Sequence, residues 1–131
     1  MESQPKISVL MPVYNRANLV KQALVSIYDQ TFRDFEIIVV DDGSTDGTWK
    51  ILKEFEKESD KIHLLRFKRQ QGIAEALLYG NEQCRGEIIV KQDSDDISMP
   101  DRLEKIVDYF KKNPVNNKKI RFIFRYKPRN R

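Results

Sequence analysis

The chain is poor in the residues that build most zinc and redox sites. It holds one cysteine, Cys84, and one histidine, His63, among 131 residues. A single cysteine forms no internal disulfide, and Cys84 falls in a helical pattern that suits a small buried side chain. Without His or Cys in numbers, zinc is not expected. A reducing, cytoplasmic setting is expected, and the inner face of a membrane is compatible with it. No window approaches the ~20 apolar residues of a membrane span. Residues 1–6 lack the apolar stretch of a signal peptide. Also missing are G-x-x-x-x-G-K-[ST] and G-x-G-x-x-G, so neither a P-loop nor a dinucleotide loop holds phosphate here.

Acidic residues are absent from the end of the chain. None follows Asp108, while residues 116–131 carry seven Lys/Arg. Set aside, those seven leave 17 basic residues against 20 acidic ones in residues 1–115, about −3 net. The overall +4 therefore belongs to one tail on a mildly acidic body. Hydrophobic residues at 40% and charged residues at 34% are ordinary for a globular domain, and the length allows one with a real core.

What is present is a strand–helix alternation. Ile7–Val13 is a continuous apolar run, the mark of a strand buried on both faces, and Phe35–Val40 is a second buried strand. Ile62–Phe67 and Ile88–Val90 read as a third and a fourth strand. Helical patterns follow each: Leu19 to about Gln30, Asp46 to about Lys57, Ile73–Cys84 with Ile73, Leu77 and Gly80 inward, and a stripe of Leu103, Ile106, Val107 and Phe110. Ser44 or Thr45 is expected to cap the second helix, and Ser98 with Asp101 to form a capping box for the fourth. Four strand-then-helix units predict an α/β fold, a Rossmann-like parallel sheet with helices on both faces. In such sheets ligands gather at the carboxyl ends of the strands, beside the reversal of strand order. Polar residues fall at all four of those ends: Tyr14, Asn15 and Arg16; Asp41 and Asp42; Lys68 to Gln71; and Asp93 to Asp96.

The last cluster, in EIIVKQDSDD, is the most informative. Asp93, Asp95 and Asp96 crowd one turn, and carboxylates that close repel one another unless a cation joins them. Oxygen-only ligands suit magnesium or manganese, which also hold substrate phosphates. A lone acidic turn is more often a solvated helix cap; four polar strand ends together point to a site. An EF-hand reading of Asp42–Gly43–Ser44–Thr45–Asp46–Gly47 fails, because Lys53 stands where the bidentate glutamate belongs. A phospho-receiver reading fails too: the acidic pair follows the second strand instead of the first, and the third strand ends in Phe67–Lys68–Arg69. The basic residues between Lys50 and Arg69 alternate with Glu54, Glu56, Glu58 and Asp60, so no specific nucleic-acid binding is expected.

The stretches ISVLMPVYNR, QTFRDFEIIVVDDGSTDGT and GEIIVKQDSDDISMPDRL, in that order, resemble the N-terminal half of family 2 inverting glycosyltransferases of the GT-A fold. The resemblance covers roughly residues 6–115 and leaves 116–131 as an unassigned basic tail. It implies a nucleotide-diphosphate sugar, a UDP-sugar above all, bound across the strand ends, with transfer to a glycan, lipid or protein acceptor in cell-envelope polysaccharide synthesis. By that likeness Pro12, Tyr14 and Arg16 line the nucleoside pocket, Asp41 or Asp42 meets the base, and Asp93 or Ser94 lies near the ribose. Asp95 matches the D-x-D acid that ligates Mn2+ or Mg2+, with Asp93 and Asp96 beside it. Gln70–Gln71–Gly72 replaces the family's Asn-x-Gly before the third helix. The carboxylate base that such a reaction needs is expected outside this chain. The other reading is a non-catalytic nucleotide- and metal-binding module whose tail touches a partner or an anionic surface. A half-domain also predicts self-association through a bared sheet edge, unless the tail covers it.

Overall fold

The computed structural model describes residues 4–114 and 120–123. The elements run β1 (Ile7–Val13), α1 (Val20–Tyr28), β2 (Phe35–Asp41), α2 (Thr48–Glu58), β3 (Ile62–Arg66), α3 (Ile73–Gln83), β4 (Ile88–Lys91), α4 (Arg102–Lys112) and β5 (Ile120–Ile123). All strand pairs are parallel, in the order β3-β2-β1-β4-β5. β1 is thus central, and strand order reverses between β1 and β4.

Side-chain alternation along a strand divides the core into two layers. Ile7, Val9, Met11 and Val13 of β1 face α1, α2 and α4, meeting Leu24, Ile27, Leu52, Leu103 and Val107. Leu10 faces the other way, with Ile38, Val40 and Ile89, onto Ala76 and Cys84 of α3 and its connection. Every residue of β1 and β2 is buried, Glu36 and Asp41 included, which is why apolar residues on both faces mark the two strands. At about 1.5–3 kcal/mol per buried aliphatic side chain, these two strands contribute a large share of the hydrophobic stabilisation. α3 lies close on the sheet because Gly80 rests against Leu10 and Val40, where any Cβ would collide.

Two expectations change at the helix starts. Ile73 is 56% exposed instead of inward, since the first turn of α3 rises past the sheet; Ala76, wholly buried, takes the packing position. The predicted caps do not form either. The Ser44 hydroxyl accepts from the Asn15 amide, and Asp46 accepts from the amide and hydroxyl of Thr48 to open α2. Ser98 donates to Gln92, and Asp101 makes no side-chain capping bond. In both loops a tertiary partner outcompetes the local backbone.

β5 alters the picture of the tail. Residues 120–123 pair with the outer side of β4, Ile88 beside Ile120 and Val90 beside Ile123, so that edge is covered within the same chain. The other roles weighed for residues 116–131 fall outside the described residues.

Candidate functional site

Where β1 and β4 diverge, a cleft of about 340 Å³ opens at their carboxyl ends. β1 and its exit supply Pro12, Val13, Tyr14 and Arg16; β2 supplies Asp42; α3 supplies Ile73; β4 and its loop supply Lys91, Asp93, Ser94 and Asp95. Seven residues singled out from sequence at three strand ends, Pro12, Tyr14, Arg16, Asp42, Asp93, Ser94 and Asp95, therefore share one wall.

The loops around the cleft are tied to each other before any ligand arrives. Asn15 adopts a left-handed backbone (φ 50°), which its short polar side chain tolerates. Its side-chain oxygen accepts from the Thr45 and Asp46 amides, joining the β1 exit to the β2 exit. The Arg16 amide donates to the Thr48 hydroxyl at 2.9 Å. Asp42 accepts from the amides of Gln71 and Gly72 at 2.7 and 3.0 Å, fixing the β3–α3 loop against β2. Gly43 (φ 77°) lets that loop lie flat on β2, because a Cβ there would come 2.6 Å from the Arg69 carbonyl carbon.

Asp41, Gln70 and Asp96 are not on the cleft wall. Asp41 is fully buried, accepts from the Ser44 amide, and has its other oxygen 3.6 Å from Arg66 Nε. Gln70 is exposed in the β3–α3 loop. Asp96 stands behind Asp95 in the acidic turn, which the Asp96 amide closes onto the Asp93 carbonyl. The three carboxylates of that turn still offer oxygens within 4.8 Å of one another. This spacing and all-oxygen chemistry fit a hard divalent ion, so Asp93, Asp95 and Asp96 are the residues that would hold one. Lys91 Nζ lies 3.5 Å from Asp93 and partly offsets the crowded charge. Behind the turn, burial pushes the Arg102 guanidinium down from its ordinary value, while the Asp96 carboxylate opposes that shift.

Sequence reasoning missed Val13, Ile73 and Lys91 in the cleft. Lys91 had a signal, being a cation at the end of a buried apolar run. Ile73 had none, because its outward turn depends on how far α3 overshoots the sheet.

A parallel sheet with an acidic, cation-suited turn at its reversal of strand order makes this the N-terminal half of a GT-A glycosyltransferase domain. The chain belongs to Glycosyl transferase family 2, which it matches over residues 8–129, past the point where the likeness was first drawn. It is 39% identical over 114 residues to the glycosyltransferase EpsE of Bacillus subtilis, covering 86% of this chain and 41% of EpsE. Among solved structures it resembles the mannosyltransferase PcManGT of Pyrobaculum calidifontis, in complex with GDP-Man and Mn2+. That match has a TM-score of 0.75 at 30% identity over 82% of this chain and 33% of the other. It also resembles residues 1–349 of S. aureus TarS in complex with UDP, with a TM-score of 0.76 at 27% identity over 82% of this chain and 32% of that one. The chain thus spans about two fifths of EpsE and about a third of each of these two structures. Among the described residues no helix is long and apolar enough to cross a membrane.

Proposed function

We propose that the cleft binds a nucleotide-diphosphate sugar and that this chain is the donor-binding part of an inverting glycosyltransferase. The observation that carries the reading is the convergence of Tyr14, Arg16, Asp42, Lys91 and the acidic turn on one cleft at the reversal of strand order. Tyr14 and the ring of Pro12 offer apolar surface for a base, and Asp42 offers a carboxylate beside it. A UDP-sugar is favoured, in keeping with the UDP complex of TarS; the GDP-Man complex of PcManGT makes GDP the other nucleotide to test.

Lys91 and Arg16 supply positive charge for the diphosphate from two sides of the cleft. A Mn2+ or Mg2+ ion on Asp95, with Asp93 and Asp96, would neutralise the diphosphate as it departs. The tied loops hold these groups in place, so little ordering remains to be done when the donor binds. Inversion requires a carboxylate that takes the acceptor's proton as it attacks the anomeric carbon. That base and the acceptor site, on a cell-envelope glycan or a lipid or protein, are assigned to the remainder of a full-length transferase.

Calorimetric titration of UDP and GDP, with and without Mn2+, tests the reading. Saturable, Mn2+-dependent binding of one of them is expected, and Asp95→Ala should abolish the Mn2+-dependent part while leaving the circular dichroism spectrum intact. Equal affinity in wild type and Asp95→Ala rejects the metal assignment.

A further inference from the structure

The acidic turn is braced from the side away from the cleft by a set of side chains that the reading above does not use. Gln92 is 2% exposed although it is an uncharged polar residue at a strand end. Its Nε2 donates to the main-chain carbonyls of Asp93 at 3.1 Å and Asp96 at 3.0 Å, spanning the whole turn. Its Oε1 accepts from the Ser98 hydroxyl and from Arg102 Nη1 at 2.9 Å. The second arm of the Arg102 guanidinium donates to the Lys91 carbonyl at 3.1 Å. One planar fork therefore grips the residue before Gln92 and Gln92 itself, as only a guanidinium can.

Two features show that this arrangement exists for the turn. Arg102 is the first residue of α4, where the helix dipole disfavours a cation, so its placement costs the helix and must be compensated elsewhere. The far end of the turn is also anchored: the Ser98 amide donates to Ser26 Oγ at 3.0 Å, and Gln30, 1% exposed, donates to the Met99 carbonyl and accepts from the Leu103 amide. Three carboxylates within 4.8 Å would drive an unbraced turn open.

Resting on the cation reading above, we propose that Gln92, Ser98 and Arg102 are positioning residues, a clasp that sets the acidic turn in its cation-accepting form before any cation arrives. They touch neither donor nor ion; they fix the backbone from which Asp93, Asp95 and Asp96 project. Residues placed behind metal ligands in this way typically change metal affinity by roughly 10- to 100-fold when removed.

The test compares wild type with Gln92→Met, Arg102→Lys and Asp95→Ala. Met keeps the volume of Gln92 without its polar atoms, and Lys keeps the charge of Arg102 without its fork. Free Mn2+ is titrated by electron paramagnetic resonance, and amide exchange of residues 93–98 is followed in cation-free buffer. Gln92→Met and Arg102→Lys should stay folded by circular dichroism, exchange faster across 93–98, and bind Mn2+ roughly 10-fold or more weakly. Asp95→Ala should lose Mn2+ with exchange no faster than wild type, which a merely structural role for the clasp would not separate. If Arg102→Lys and Gln92→Met bind Mn2+ like wild type, the clasp is overturned. If wild type itself takes up no Mn2+, the reading of the turn as a cation site falls, and the proposal with it.

Discussion

At Glu36 a carboxylate lies 3% exposed near the start of a buried strand. It accepts from the Ser8 hydroxyl at 2.5 Å and from the Arg85 amide at 2.7 Å, with Arg85 Nε at 3.1 Å and His63 Nε2 at 3.7 Å. Removing it as Glu36→Ala takes the acceptor from the part-buried Arg85 amide and the buried Ser8 hydroxyl, so urea unfolding should show a loss of about 2 kcal/mol. Nucleotide affinity should hold, because none of these groups lines the cleft. The signal was present in the sequence: an acid inside FEIIVV needs a partner, but which partner depends on β1 and the α3–β4 connection meeting it. Gly43 is a second case. Its positive φ and the backbone of Arg69 against it predict that Gly43→Ala costs about 3 kcal/mol, also read by urea, and loosens the β3–α3 loop.

Among the elements, β1 to β4 and the helix spans were legible, and the capping residues were not. β1 to β4 fall within a residue of the segments that announced them, and for β1, β2 and β4 near-complete burial on both faces is the reason. Caps failed because Ser44 and Ser98 found partners on other loops. At α2 the start is secured by Asp46. Burial alone would raise its carboxyl, but bonds from the Thr48 hydroxyl and amide and the Ala17 amide outweigh it and hold the group below the ordinary carboxylate range. A carboxyl depressed in the folded state stabilises above its unfolded value, near 3.9, and that contribution disappears as pH falls through the folded value. Asp46→Asn should therefore weaken the protein at pH 7, and urea curves of mutant and wild type should draw together as pH falls from about 5 towards 2.

For the whole molecule, the pairing of β5 on β4 carries a prediction about association. A chain shortened to residues 1–114 loses β5 and bares the β4 ladder. Light scattering should then show concentration-dependent self-association that the full chain lacks. The tail was the least legible part of the sequence. IRFI is short and carries a cation, so its apolar residues alone did not separate a strand added to this sheet from one reserved for another subunit or from a loose end. The site was more legible than its support: strand ends point to a cleft by topology alone, whereas Gln92 and Arg102 gain meaning only when β4 and α4 are in place.

The polar cluster around Glu36 lies at the opposite end of the sheet from the cleft, where Ser8, Arg85 and the Gly86 amide satisfy one another. On the proposed function, the two rims of one sheet thus do different work. A saturation library sorted once for protein abundance and once for nucleotide capture should split along the strand axis: lesions in the Glu36 cluster deplete abundance, and lesions in the cleft side chains Tyr14, Arg16, Lys91 and Asp95 deplete capture at normal abundance.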